Sequence, residues 1–205
     1  MWQERLNEFV VLLLVINPFE ILPSFLAVTG SLDGRTRARL AALAAMIAFV
    51  VLVFFLFAGG FLLKEMHVPI RAFQIAGGVV LFLVALDMIR GNDHSAGTDI
   101  STYGMKLAVY PIAIPKIAGP GAILAVTVLT DDDRFNLAEQ MATAMTLALV
   151  LVVVFLMLLL ASPITWIIGA TGARVIGRVM GMLLAALAVT LVLTAMGEWL
   201  SLPKL

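Results

Sequence analysis

The 205-residue chain contains no cysteine, which excludes a disulfide framework and any thiolate metal site. Histidine occurs only as His67 and His94, in links without ligand-like partners at metal spacing, so no metal site is expected. Charge is scarce. Only 13 % of residues are Asp, Glu, Lys or Arg, and the 13 basic and 13 acidic side chains cancel. No basic field therefore favours nucleic acid as a partner. No Ser–His–Asp arrangement, paired acid motif or phosphate-binding loop is present. Neither an enzyme nor a cofactor is expected.

What the chain has in excess is apolar surface. It is 62 % hydrophobic, with a mean hydropathy of +1.11, against roughly 45–50 % in soluble domains. That composition predicts an integral membrane protein. Six segments approach the roughly 20 apolar residues needed to cross the hydrocarbon: 6–29, 39–63, 71–90, 105–129, 138–161 and 176–198. Glu4, Glu8 and the Asn17-Pro18-Phe19-Glu20 run do not suit a cleaved signal peptide, so the first segment reads as a retained span. The expected fold is all-α, one polytopic membrane domain over 1–205. Repeat one covers about 1–90, the linker about 91–104 and repeat two about 105–205.

Orientation follows the Lys/Arg bias of short loops. With the N-terminus outside, Arg35, Arg37, Arg39, Arg90, Lys106, Arg174 and Arg178 lie inside, against Arg5, Lys64, Arg71, Arg134 and Lys204 outside. Both termini are expected outside the cytoplasm.

Two proline words interrupt spans one and four. Pro18-Phe19-Glu20-Ile21-Leu22-Pro23 precedes Leu26-Ala27-Val28-Thr29, and Pro115-Lys116-Ile117-Ala118-Gly119-Pro120 precedes Leu124-Ala125-Val126-Thr127, an offset of 97 for the prolines. Proline breaks a helix, and broken backbone at membrane depth survives only inside protein or beside a cavity. Gln74-Ile75-Ala76-Gly77 in span three matches Arg178-Val179-Met180-Gly181 in span six at an offset of 104. Three spans per half make the halves face opposite ways. The expectation is two inverted three-helix repeats, with the broken helices one and four meeting at mid-depth. Chance recurrence of short Pro/Gly/Ala words is the competing explanation.

At these residues the chain resembles the MarC family of bacterial and archaeal inner-membrane proteins. The resemblance rests on Asn17-Pro18-Phe19-Glu20-Ile21-Leu22-Pro23-Ser24-Phe25 with Thr29, on Pro111-Ile112-Ala113-Ile114-Pro115 leading into Ala118-Gly119-Pro120-Gly121-Ala122-Ile123, and on Ile75-Ala76-Gly77-Gly78. It covers nearly the whole chain. It implies a six-span, permease-like protein of the inner membrane, some members being assigned transport of small neutral amino acids. Three positions depart from the pattern: Glu20 and Gln74 replace residues that are commonly small and Arg, and Lys116 replaces an apolar one.

The candidate substrate-binding residues are Asn17, Pro18, Glu20, Pro23, Ser24, Pro115, Lys116, Gly119, Pro120 and Gly121. A helix starting at Pro120 between two glycines presents free N–H groups and a positive dipole end to a carboxylate or other anion. Pro23-Ser24 is the expected counterpart. A kink that only shapes packing is the alternative. Glu20 and Lys116 are expected to form an intramembrane ion pair, with snorkelling to the interface the alternative. The Asn17 amide binds substrate or satisfies a freed carbonyl, while Thr29 and Thr127 are expected to bond back to their own helices. Asp87 and Arg90 suit a local ion pair. Gly177-x-x-x-Gly181 and Ala76-Gly77-Gly78 suit close packing, and Asp131-Asp132-Asp133 a solvated turn.

These features predict a permease for a small polar metabolite, an amino acid first, working by alternating access around a midplane site. Its partners are the substrate, a coupled proton or cation, the bilayer and a second copy of the chain. A non-transporting scaffold or sensor subunit is the alternative.

Overall fold

Inside hydrocarbon every backbone N–H and C=O must find a partner within the protein, so the apolar runs close their hydrogen bonds as helices. The computed structural model describes residues 2–91, 108–130 and 136–200, without the side chains of Pro111, Ala170 and Arg174. Expectations for the linker beyond Gly91, His94, Lys106, Asp131–Asp133, Arg134 and Lys204 lie outside the described residues. The elements are α1 (Trp2–Ile16), α2 (Pro18–Thr29), α3 (Gly34–Glu65), α4 (Ile70–Arg90), a π-helical segment (Ala108–Ile117), α5 (Pro120–Leu129), α6 (Leu137–Leu159) and α7 (Ala161–Trp199).

Five stretches are each long and apolar enough to cross a membrane: Trp2–Thr29, Gly34–Glu65, Ile70–Arg90, Leu137–Leu159 and Thr171–Trp199. The π segment and α5 are long and apolar enough only as a pair, and they are bent by 54° at their junction, the geometry of a broken span or of a re-entrant loop. Caps explain where the observed bounds differ from the apolar runs. The Asp33 side chain accepts from the N–H groups of Arg35 and Thr36, starting α3 at Gly34 rather than at residue 39. Asn136 and Glu139 form a capping box that starts α6. The left-handed Gly91 (φ 74°) ends α4.

The helices pack across the two halves of the chain. The α1–α2 pair lies on α6 and α7, the π segment and α5 lie on α3 and α4, α3 pairs with α6, and α4 runs along α7. The α3–α6 seam is built from Ala41, Ala44, Ala48 and Leu52 with Leu147, Val150, Val154 and Leu158, all buried at helical spacing. Small residues let these backbones approach.

The α4–α7 contact is reciprocal. A Cβ on Gly78 would stand 3.2 Å from the Ala188 carbonyl oxygen and 2.7 Å from Val192. One on Gly181 would stand 3.0 Å from the Ala85 carbonyl oxygen and 3.0 Å from Ile89. An offset of 103 turns one set into the other, Gly78 to Gly181, Ala85 to Ala188 and Ile89 to Val192. Gly77 faces Leu124 of α5, whereas Gly78 faces α7. The loop ends carry similar bonds. Arg37 Nη2 donates to the Thr29 carbonyl at the end of α2 (3.3 Å), and Gln140 Nε2 donates to the Thr130 carbonyl at the end of α5 (3.3 Å).

Ion pairs among the described residues include Arg5–Glu8 and Arg71–Glu198. The expected Asp87–Arg90 pair is not among them. Arg90 is exposed in the last turn of α4, where a long stem carries its head toward water. Of the expected Gly177/Gly181 packing pair only Gly181 makes contact, since nothing lies within 4 Å of a Cβ on Gly177.

Two outcomes follow. Gly181→Ala should lower the thermal midpoint in detergent, an overpacking cost of about 1–3 kcal/mol, while Gly177→Ala should leave it unchanged or raise it. The Thr36 side chain, then the Thr36 and Arg35 N–H groups, hold the Asp33 carboxyl below its ordinary value of 3.8. Its folded pKa is depressed, so the cap is fully present above the unfolded value and is lost as pH falls through the folded one. Asp33→Asn, which caps without titrating, should therefore show a shallower loss of melting temperature below about pH 4.

Candidate functional site

Proline makes both helix starts. Pro18 has no N–H to give and pushes the residue before it out of the α region. Asn17 accordingly adopts the left-handed conformation (φ 47°, ψ 72°), which Asn tolerates better than most residues. α1 stops at Ile16 and α2 restarts with Pro18 in its first turn. In the second half Gly119 is extended (φ −84°, ψ 172°) and Pro120 opens α5. Before it the π segment departs from helical geometry at Tyr110 and Ile114, and the Ile114–Pro115 peptide is cis. Neither start has a side-chain cap, so each turns a positive dipole end toward the break, although in α2 the Glu20 N–H already donates to the Asn17 carbonyl (3.1 Å).

The two starts lie side by side. A Cβ on Gly121 would stand 2.5 Å from Leu81 Cδ1 and 3.2 Å from Val15 Cγ1, which seats the first turn of α5 between α4 and the last turn of α1. Asn17 is two residues beyond Val15. From there α2 and α5 diverge. The end of α2 meets Arg37 near the start of α3, and at the end of α5 Thr130 Oγ1 donates to the Leu56 carbonyl (2.9 Å), near the end of α3. Nineteen residues of helix separate Arg37 from Leu56, about 28 Å. Two helices thus begin together and end at opposite ends of α3.

Asn17 is the most constrained residue of the site. It is 3 % exposed. Its Nδ2 reaches only the Met88 sulfur at 3.6 Å, and its Oδ1 has no hydrogen-bond partner. A buried unpaired acceptor and a left-handed non-glycine backbone each cost about 1–3 kcal/mol.

The remaining candidates divide. Pro18 is buried, and Ser24, Lys116, Gly119 and Gly121 are half-buried. Glu20, Pro23, Pro115 and Pro120 are exposed. A Cβ on Gly119 would stand 2.6 Å from the Pro115 carbonyl oxygen, so the backbone passes itself too closely for a side chain. Two expectations are corrected. Pro23-Ser24 does not start a helix, since Pro23 lies inside α2. The structural counterpart of Gly119-Pro120 is Asn17-Pro18, because a proline opens a helix only where the preceding residue has already left the α region. The Glu20–Lys116 ion pair is not among those formed; Glu20 points out of α2 while Lys116 stays half-buried at the end of the π segment.

Thr29 Oγ1 bonds back to Phe25 O at 2.7 Å, as expected. Thr127 does not bond back; its hydroxyl is buried against Gly59 with no partner.

The residues that sequence reasoning missed are Met88 and Leu81, which line the site from α4, and a polar cluster. Arg5 Nη1 donates to Glu8 (2.8 Å) and Thr143 (3.0 Å), tying α1 to α6. The i, i+3 spacing of Arg5 and Glu8 was a legible signal, but nothing in the sequence pointed to Thr143. Among the described residues no three His, Asp or Glu side chains gather as metal ligands would.

The comparisons with known proteins agree with this architecture. A family profile described as "MarC family integral membrane protein" matches residues 2–200. The chain is 31 % identical over 182 residues to a UPF0056 membrane protein of Methanocaldococcus jannaschii, covering 87 % of this chain and 88 % of that one. It is 31 % identical over 195 residues to a UPF0056 membrane protein of Archaeoglobus fulgidus, covering 93 % and 91 %. It is 30 % identical over 199 residues to the UPF0056 inner membrane protein YhgN of Escherichia coli, covering 96 % and 98 %. No solved structure matches. An all-helical, multi-pass chain whose match to the profile runs from the first turn of α1 to the end of α7 belongs to the MarC family of integral membrane proteins.

Proposed function

We propose that this protein is a permease for a small polar metabolite, an amino acid first, built from two inverted three-helix repeats with their broken first helices at the centre. The observation that carries the reading is the pair of uncapped helix starts, Pro18 and Pro120, side by side with the buried, unpaired Asn17 Oδ1. The two positive ends suit a carboxylate. The Asn17 oxygen suits a donor such as an ammonium group, and Lys116 adds positive charge one turn before α5. The reciprocal Gly78/Gly181 contacts and the Arg37–Thr29 and Gln140–Thr130 bonds support the inverted repeat. In that geometry, alternating access moves one helix bundle against the other around the shared site. A proton or cation is the coupling ion of this reading. The arginines of the α2–α3 turn, with Arg90 and Arg178, support a cytoplasmic assignment for that face and an external one for both termini.

The experiment is a thermal-shift screen of purified protein against amino acids and organic anions, followed by uptake into proteoliposomes. Gly121→Leu, which drives a side chain into Leu81 and Val15, should abolish both the ligand-induced shift and uptake. Asn17→Gly removes the unpaired acceptor and the left-handed strain together. It should raise the thermal midpoint, by roughly 1–3 kcal/mol of stability, and lose uptake. The effects of Glu20→Gln and Lys116→Met on uptake should add to within about 0.5 kcal/mol, as for side chains that do not touch. A protein that binds none of the ligands and moves none would be a scaffold or sensor subunit.

A further inference from the structure

The two halves differ most in what joins their last two spans. In the first half α3 ends at Glu65 and α4 begins at Ile70. In the second, α6 ends at Leu159 and residues 161–168 form a separate short helix before the span Thr171–Trp199. The break is Gly169, at φ 65° and ψ 170°, a conformation essentially restricted to glycine. Nothing among the described residues lies within 4 Å of where its Cβ would stand, so the joint has open space on that side.

One side of this short helix covers α2. Ile164, Thr165 and Ile168 enclose a cavity of about 20 Å³ with Phe19, Leu22 and Pro23, room for roughly one water. Phe19 is two residues from Asn17. The other side carries Trp166 and Ile167, 86 % and 75 % exposed. The first turn packs through Ala161 and Ile164 and takes a hydrogen bond from α3. Arg37 Nη1 donates to Ser162 Oγ at 2.6 Å, and Nη2 of the same guanidinium donates to the Thr29 carbonyl. Its Nε is buried without a partner, so the group is only partly satisfied where it sits. A hydrogen bond at an exposed serine, held by a guanidinium that also serves α2, is easily exchanged for water.

We infer that residues 161–168 form a lid over α2, hinged at Gly169 and latched by Arg37, which controls access to the Asn17–Pro18 break from the arginine-rich face. Trp166 and Ile167 hold it in the leaflet interface, where an aromatic ring with a polar edge is favoured. What passes beneath the lid rests on the transport reading, but its movement does not. The lid has no counterpart in the first half, so the two faces open by different means.

The chain has no cysteine, so introduced thiols report cleanly. Leu22 is 3 % exposed beneath the lid. A Leu22→Cys variant in oriented vesicles should react slowly with a membrane-impermeant maleimide from the arginine-rich face. Adding Ser162→Ala should raise that rate about fivefold or more, with no change from the opposite face. A rate unaffected by Ser162→Ala overturns the lid. Because Leu22→Cys also perturbs the core, a second measurement uses Pro23→Cys with Thr165→Cys. Oxidation should stop amino-acid uptake in proteoliposomes and reduction should restore it in the same sample. Equal uptake before and after oxidation overturns the lid while leaving transport standing. Labelling that responds to Ser162→Ala in a protein that moves no substrate supports the lid and sinks the transport reading.

Discussion

Backbone polar groups cannot be left bare in hydrocarbon, and this protein interrupts two helices there. Each interruption removes a donor at a proline and breaks the hydrogen-bond ladder before the next helix. The bundle tolerates this by packing the start of α5 against α4 and the last turn of α1, and Asn17 against Met88 of α4. The tight fit of Gly121 against Val15 and Leu81 is the contact that makes the arrangement possible. A Cβ there would push α5 away from α1 and open a gap around unsatisfied peptide groups. The strain collects at Asn17, whose left-handed backbone and unpaired oxygen persist because residues on three helices surround it. Strain held at one buried polar residue is the pattern found at sites that bind and release.

The rest of the bundle supports that meeting point by packing one half on the other. The α4–α7 pair exchanges backbone contacts through Gly78 and Gly181, and the α3–α6 pair interlocks alanines with larger aliphatics. Lipid tails are as apolar as leucine, so burial alone does not drive these helices together. Close approach of small residues does, through dispersion and carbonyl contacts. Arg37 binds both the end of α2 and Ser162, and the second half carries the additional turns of residues 161–168.

Much of this was legible before any coordinates. The apolar runs and the breaking prolines follow from composition and from the missing N–H of proline. The back-bonding of Thr29 was legible for the same local reason. The words misled on register. Pro18 matches Pro115 and Pro23 matches Pro120 as text, yet α2 opens at Pro18 and α5 at Pro120. Proline is tolerated in the first turn and also within a distorted helix, and which role it takes depends on whether the residue before it can leave the α region. Gly119 does so as ordinary extended backbone and Asn17 only with strain, whereas Pro23 lies inside α2. Glu20 and Lys116 also misled, because proximity along aligned words does not set which way a side chain points from its helix.

Composition, proline chemistry and helical spacing by themselves determined an all-helical, membrane-embedded chain of several apolar helices, since each depends only on neighbouring residues and the absence of water. The tertiary structure alone decided which prolines open helices, that Gly78 rather than Gly77 faces α7, that Thr143 receives Arg5, and that Asn17 is left with an unpaired oxygen. Those outcomes depend on contacts between residues far apart in the chain, and the packing of whole helices selects among registers that local chemistry leaves nearly equal in energy.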